Sequence, residues 1–181
     1  DVGANVGNYT RMLLKHTQAK IYAFEPLPRA YASIQGLSDR VTTIQAAVSD
    51  VDGEAPIFHK SDTDGKASLD SRIRNGTQTM VKLITLKTAM QTYGITDVDF
   101  IKIDTEGNER EVLKGLGDLR PAFVQFEFNI HHLFKNSTLR EITQQLPGYT
   151  FYRLLPHGWI RINPDTYVEN IFIFCNIVAV R

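Results

Sequence analysis

Three clusters of residues in this chain carry side chains and backbone suited to chemistry. The first is the loop Asp1-Val2-Gly3-Ala4-Asn5-Val6-Gly7. Glycines let a backbone approach a ligand closely, and the loop leads into a helix N-terminus, where N–H groups favour an anion. Glu25 ends the next apolar segment, about 20 residues on, the spacing at which a carboxylate reaches a ribose diol. Asn5 stands where a dinucleotide-binding fingerprint wants glycine. Loop and carboxylate together point to a nucleoside-containing ligand. The competing reading is a surface turn followed by an exposed glutamate.

The second cluster is Lys102-Ile103-Asp104-Thr105-Glu106-Gly107. Asp104 and Glu106 sit just past an apolar run. Carboxylates there can orient a cationic cofactor, accept a hydroxyl proton or hold a divalent ion. Acids that only stabilise a helix N-terminus are the alternative, and Glu109 suits that role. The third cluster is Gln125-Phe126-Glu127-Phe128-Asn129, followed by His131 and His132. His131 is a candidate base. Adjacent histidines diverge on a helix and make a poor metal pair.

These residues need elements to hold them. Helical spacing runs from Tyr9 to Lys15, and Lys20–Phe24 reads as a strand ended by Glu25-Pro26. Pro28 opens a helix that buries Tyr31, Ile34 and Leu37, and Val41–Val48 reads as the next strand. Glu54–His59 suits a short antiparallel strand, and the polar stretch Ser61–Thr79 a long loop or lid. Met80–Ile84 is a strand, and Thr85 caps a helix closed by Gly94. Val98–Ile103 has the near-continuous apolar character of a buried parallel strand. A helix over Glu109–Leu116, a strand over Ala122–Phe128 and a helix capped by Ser137 follow, with Glu141 one place late for a capping box. Tyr149–Leu155 and Ile171–Val180 are the last strands, and Pro156–Asn170 an irregular excursion. The alternation of strand and helix predicts an α/β fold with a mostly parallel sheet. Catalytic groups then belong at the carboxyl ends of the strands.

Composition narrows the function. The 181 residues suit one domain, expected to span 1–181. With 20 Lys+Arg against 20 Asp+Glu, the net charge is zero, which speaks against nucleic acid as the partner. The Ile171–Val180 stretch is too short to span a bilayer, and a cytoplasmic location is expected. The single cysteine, Cys175, excludes an internal disulfide framework. A glycine loop of this kind normally follows a buried strand, so the chain is expected to begin inside its first element.

Taken in order, Asp1-Val2-Gly3-Ala4-Asn5-Val6-Gly7-Asn8-Tyr9-Thr10, Phe24-Glu25-Pro26, Ala47-Val48-Ser49-Asp50 with Gly53, and Ile101-Lys102-Ile103-Asp104-Thr105-Glu106-Gly107-Asn108-Glu109 with Val112-Leu113-Lys114-Gly115 form a recognisable set. The chain resembles the FkbM family of S-adenosylmethionine-dependent methyltransferases over nearly its whole length. That resemblance implies the class I methyltransferase fold, a Rossmann-like three-layer sandwich with an antiparallel strand near one edge. It implies S-adenosylmethionine as cofactor, with Asp1, Gly3, Ala4, Asn5 and Gly7 around its methionine part. Glu25 would take the ribose hydroxyls beside Pro26, and Ala46, Ala47 and Val48 would lie near adenine. Asp104 would lie near the cofactor's amino group or the substrate. The implied reaction is O-methylation of a hydroxyl on a sugar, glycan or natural-product acceptor. Asp104 or Glu106, directly or through a divalent cation, or His131, would help remove the hydroxyl proton. Lys87 stands where the family often shows Asp, so no role is carried over to it. An NAD-dependent oxidoreductase and a non-catalytic nucleoside-binding module of the same fold remain the rivals.

Overall fold

The computed structural model describes residues 1–61, 63–72 and 74–181. Asp62 and Ile73, both in the segment read from sequence as a long loop, lie outside the described residues. The elements are α1 (Asn8–His16), β1 (Ile21–Phe24), α2 (Pro28–Ile34), β2 (Val41–Ile44), β3 (Ala47–Val48), β4 (Gly53–His59), β5 (Thr77–Ile84) and α3 (Leu86–Tyr93). They continue with β6 (Phe100–Ile103), α4 (Glu109–Lys114), β7 (Phe123–Phe128), α5 (His131–Phe134), α6 (Leu139–Thr143), β8 (Thr150–Leu155), β9 (Gly158–Ile162) and β10 (Cys175–Val180).

The fold is α/β with mixed sheets. A five-stranded sheet has the order β6-β7-β10-β8-β9, parallel only between β6 and β7. β1 pairs parallel with β2, and Val2 bridges β1 at Phe24 and β6 at Ile103. The backbone of Val2 donates to Lys102 O at 2.8 Å and accepts from Asp104 N at 2.9 Å, so one residue ties the two sheets together. A groove of about 600 Å³ opens between β1 and β6, lined by Val2, Tyr22, Phe24, Met90, Phe100 and Ile101. A third sheet, β3-β5-β4, packs its own small core of Leu27, Ala30, Ile57, Val81 and Leu83.

The apolar runs act as their β-branched and aromatic content dictates. Ile101, Ile103, Val124, Phe126 and Phe128 are buried on β6 and β7. α4 and α6 cover them with Val112, Leu113, Leu139 and Ile142. Truncating a fully buried Phe such as Phe126 to Ala costs about 3–5 kcal/mol. The main core is therefore the rigid base under the carboxyl ends of β6 and β7. No helix among the described residues is long and apolar enough to cross a membrane.

Several expected boundaries move, each for a physical reason. Val41–Val48 is two strands, because β2 pairs with β1 whereas β3 pairs with β5. The helix expected to bury Tyr31 and Leu37 ends at Ile34 and buries Ala30 and Ile34, leaving the other two half-buried. Thr138, not Ser137, caps α6, and its hydroxyl accepts from Glu141 N while the Glu141 side chain accepts from Thr138 N. Glu141 is thus on time for a complete capping box. The excursion Pro156–Asn170 contains the edge strand β9, paired antiparallel with β8 from Phe151–Ile162 to Leu155–Gly158. The final strand starts only at Cys175, because Phe172 takes a left-handed φ of 53° and packs its ring 5.3 Å from Phe128.

Candidate functional site

The glycine loop and the strand ends meet at a cleft. Of the residues expected to hold a nucleoside, Gly3, Asn5, Glu25, Pro26, Ala46, Ala47, Val48 and Asp104 line it. Asp1, Ala4 and Gly7 are not on its wall. A Cβ on Gly7 would meet Ile34 Cγ2 at 2.5 Å, so this glycine lets α1 and α2 pack closely. Gly3 has a φ of 82°, and a Cβ there would stand 1.9 Å from Asp104 O. The loop therefore passes β6 as closely as a backbone can, which only glycine permits.

Glu25 is tied to that loop. Its Oε2 accepts from Asn5 N and its Oε1 from Leu27 N, both at 2.8 Å. Burial pushes its carboxyl above the usual range, and the Leu27 and Asn5 amides oppose this. Asn5 Oδ1, on the cleft wall, is buried and accepts no hydrogen bond from the described residues. Buried acceptors of this kind want a donor, which the ammonium and hydroxyl groups of an aminoacyl nucleoside can supply. The residues present thus fit S-adenosylmethionine. The cleft itself holds about 60 Å³, less than the roughly 300–1,000 Å³ usual for a bound small molecule. Asp64, Gly65, Ala67 and Leu69 form its outer wall. That wall belongs to the segment expected to be a loop or lid.

Asn108, not singled out from sequence, is buried in the wall of the cleft. Its Nδ2 donates to Val48 O and its Oδ1 accepts from Lys135 Nζ, both at 3.0 Å. It fixes the end of β3, where Ala46, Ala47 and Val48 form the apolar wall. Its position in the Glu106-Gly107-Asn108-Glu109 run was its only sequence signal.

Beside the cleft lies a cluster of acids and histidines. Asp104, on the cleft wall, accepts from Lys102 Nζ at 2.8 Å, and that ammonium also stands 5.2 Å from the Tyr9 ring centre. Glu106 has a left-handed φ of 53°, unusual for a residue with a Cβ. Its Oε2 is 2.8 Å from His131 Nδ1, with both side chains partly accessible. Ser68 Oγ, from the outer wall, donates to Glu106 O at 2.9 Å. Behind this pair, Glu109 Oε2 lies 2.8 Å from His132 Nε2, and both side chains are fully enclosed. Asp104, Glu106 and His131, three residues expected to serve the reaction, are thus at one strand edge, and two of them touch.

Glu127, the last residue but one of β7, lies within the field of these groups. Burial, with the charges of Asp104, Glu106 and Glu109, pushes its carboxyl up to about 8, although Asn129 Nδ2 donates to its Oε1. The rings of Tyr152 on β8 and Trp159 on β9 lie 5.6 Å apart, centre to centre, and Trp159 and Tyr167 are exposed. Among the described residues, no three His, Cys, Asp or Glu side chains form a group able to hold a metal ion.

The chain is similar to known methyltransferases. The model of the methyltransferase FkbM domain matches residues 1–152. The 2-O-methyltransferase NoeI of Sinorhizobium fredii is 28% identical over 181 residues, covering 87% of this chain and 74% of that protein. The hexuronic acid methyltransferase AglP of Haloferax volcanii is 29% identical over 129 residues, covering 64% and 48%. The 31-O-demethyl-FK506 methyltransferase FkbM of Streptomyces tacrolimicus is 27% identical, covering 83% and 71%. The crystal structure of methyltransferase FkbM from Methylobacillus flagellatus shares the fold, with a TM-score of 0.59 and 16% identity over 99% of this chain and 42% of that one. With the family model spanning the glycine loop, Glu25 and the acid cluster, this chain belongs to the FkbM methyltransferase family.

Proposed function

We propose that the chain transfers the methyl group of S-adenosylmethionine to a hydroxyl of a sugar or natural-product acceptor, with His131 as the base. The observation that carries this reading is the Glu106–His131 contact of 2.8 Å next to the nucleoside cleft. The cofactor, when bound, supplies an electrophilic methyl group on a positively charged sulfur. Asn5 and the Gly3 backbone would hold its aminoacyl part, Glu25 its ribose, and the Ala46–Val48 wall its adenine.

Glu106 at Nδ1 leaves Nε2 of His131 as the nitrogen that faces an acceptor. His131 Nε2 would take up the hydroxyl proton of the acceptor at the point where the cofactor would deliver its methyl group. The resulting imidazolium is stabilised by the Glu106 carboxylate and gives its proton to water after the product leaves. A positioned base of this kind contributes about 10²–10⁴-fold. The acceptor class draws on the relatives, whose names are those of a 2-O-methyltransferase, a hexuronic acid methyltransferase and a 31-O-demethyl-FK506 methyltransferase.

The test combines calorimetry with S-adenosylhomocysteine and with NAD, and radiolabelled methyl transfer to methyl hexuronosides, methyl glycosides and a macrolide alcohol. Affinity for S-adenosylhomocysteine and label on an acceptor oxygen are expected. Affinity for NAD alone would make the chain an oxidoreductase. Tight binding of S-adenosylhomocysteine with no label on any acceptor would favour the non-catalytic module.

A further inference from the structure

The Glu106–His131 contact has an enclosed twin. Glu106 and Glu109 lie three residues apart, and His131 and His132 are neighbours. Each acid meets one histidine at 2.8 Å. The outer pair is partly accessible, whereas the Glu109 and His132 side chains are each 1% exposed. Burying two ionisable groups is expensive, and a buried ion pair is often no more stabilising than apolar residues of equal volume. Fold stability alone therefore gives little reason for this pair to be here.

Its connections give a better one. Glu109 Oε1 accepts from Thr105 N at 2.8 Å and from Thr105 Oγ1 at 3.0 Å. These two bonds close the turn that holds Glu106 at a φ of 53° and Gly107 at 98°. On the far side, His132 Nδ1 has the Asn129 N–H at 3.2 Å and the Asn129 carbonyl at 3.3 Å, so it has a partner with or without its proton. Asn129 Oδ1 in turn accepts from His131 N at 2.7 Å. The His132 ring stands 5.1 Å from that of Phe128, at the end of β7. An unbroken chain of contacts thus runs Thr105, Glu109, His132, Asn129, His131. It joins the loop after β6, which carries Glu106, to the turn after β7, which carries His131.

We infer that the buried Glu109–His132 pair is a positioning device that sets the distance and orientation of His131 against Glu106. The inference rests on the proposed role of His131 as base. Burial pushes the Glu109 carboxyl up, but the His132 charge and the Thr105 hydrogen bond outweigh this and hold it well below the usual carboxylate range. A carboxylate kept ionised in the interior holds the His132 ring on one side and the Thr105 turn on the other. Accuracy matters here because a misplacement of about 1 Å at a reacting group can cost about 10²-fold in rate.

Nitrogen-15 NMR of the histidine rings tests the positioning without any acceptor. The protein is saturated with S-adenosylhomocysteine, and each variant's affinity for it is measured by calorimetry. The wild-type His131 is expected as one tautomer, with its proton on Nδ1 facing Glu106. Glu109→Gln and His132→Leu are expected to give the mixed tautomers of a solvent-exposed imidazole, with cofactor-product affinity within about twofold of wild type. His132→Gln, whose amide can still reach Glu109, is expected to restore most of the wild-type signal. The double variant Glu109→Gln/His132→Leu leaves no lone buried charge, and stands in where either single variant fails to fold. An unchanged His131 signal in a folded variant would overturn the inference. So would a loss of S-adenosylhomocysteine binding in step with the spectral change, since the pair would then serve the cofactor loop. Failure of the base reading shows separately, as unaltered turnover in His131→Asn.

Discussion

His131 Nδ1 and Glu106 Oε2 stand 2.8 Å apart, across the gap between the carboxyl ends of two parallel strands, β6 and β7. Parallel strands bring their carboxyl ends to the same edge, so residues 25 positions apart in sequence share one site. Removing the histidine should therefore cost chemistry rather than binding. His131→Asn is expected to lower kcat by about 10²–10⁴-fold. Calorimetric affinity for S-adenosylhomocysteine should stay within about twofold, because His131 does not line the cleft. A variant that turns over normally would remove His131 from the reaction.

Glu106 allows stability and activity to be separated. Its left-handed φ of 53° costs a residue with a Cβ about 1–2 kcal/mol, and glycine is free of that cost. Against this, glycine adds about 0.4–1 kcal/mol of unfolded-state entropy. Glu106→Gly should leave the thermal midpoint unchanged or slightly raised while turnover falls at least as far as in Glu106→Gln. A fall of several degrees in the midpoint would mean that Glu106 holds the loop together through its side chain.

The Glu127 carboxyl, raised from 4.5 to about 8, makes stability depend on pH in a definite direction. Between those values the folded chain holds a proton that the unfolded chain has released. Stability is therefore lost as pH rises through that window. Glu127→Gln cannot ionise and should show a shallower fall in thermal midpoint between pH 5.5 and 8. The full shift would be worth about 3 kcal/mol across this window, discounted to about 1–2 kcal/mol for solvent screening of a partly accessible group, and about 1 kcal/mol moves the midpoint of a domain this size by about 2–4 °C, so the two proteins are expected to differ by several degrees. Parallel curves would show that Glu127 ionises normally.

Gly3 should tolerate no side chain. A Cβ would stand 1.9 Å from the Asp104 carbonyl oxygen, on a backbone with φ of 82°. Overpacking of about 1–3 kcal/mol adds to a left-handed penalty of about 1–2 kcal/mol. Gly3→Ala should lower stability by about 3 kcal/mol in urea titration and abolish S-adenosylhomocysteine binding in whatever folded fraction remains. Stability within 1 kcal/mol of wild type would show that the loop can move away from β6 at little cost.

What the sequence made legible was local. Gly3, Glu25 and Asp104 could be read because a glycine loop, an acid at a strand end and an apolar run are each contiguous patterns. Thr85 and Gly94 bound α3 as expected, since caps depend on near neighbours. The pairing of Glu106 and Glu109 with His131 and His132 was not legible, because it depends on which strands lie side by side. The split of Val41–Val48 was hidden for the same reason, as the pattern of a strand does not say which sheet it joins. β9 was missed because Pro156 and Gly158 mask a short edge strand that buries only Ile162. Asn108 reads as an ordinary helix-start residue, and its bonds to Val48 and Lys135 appear only in three dimensions.

The outer wall of the cleft gives the last prediction. The cleft's volume of about 60 Å³ is below the roughly 300–1,000 Å³ of a small-molecule site, so binding of S-adenosylhomocysteine is expected to displace Asp64–Leu69 outward. Phe58 and Ser68 exchange backbone hydrogen bonds of 2.8 and 3.0 Å, which anchor the wall to β4. The Ser68 Oγ bond to Glu106 O, at 2.9 Å, is its tie to the opposite rim. Removing that tie should favour the open wall by about 1 kcal/mol, or about fivefold in the opening equilibrium. Ser68→Ala is therefore expected to speed the association of S-adenosylhomocysteine by up to about fivefold in stopped-flow measurements. Hydrogen exchange at Ala67 and Leu69 should quicken in the free protein and slow again once the ligand is bound. Association at the wild-type rate, with faster exchange, would show that the wall opens without limiting entry. Turnover should fall at the same time, because the same bond steadies the backbone of the residue that holds His131.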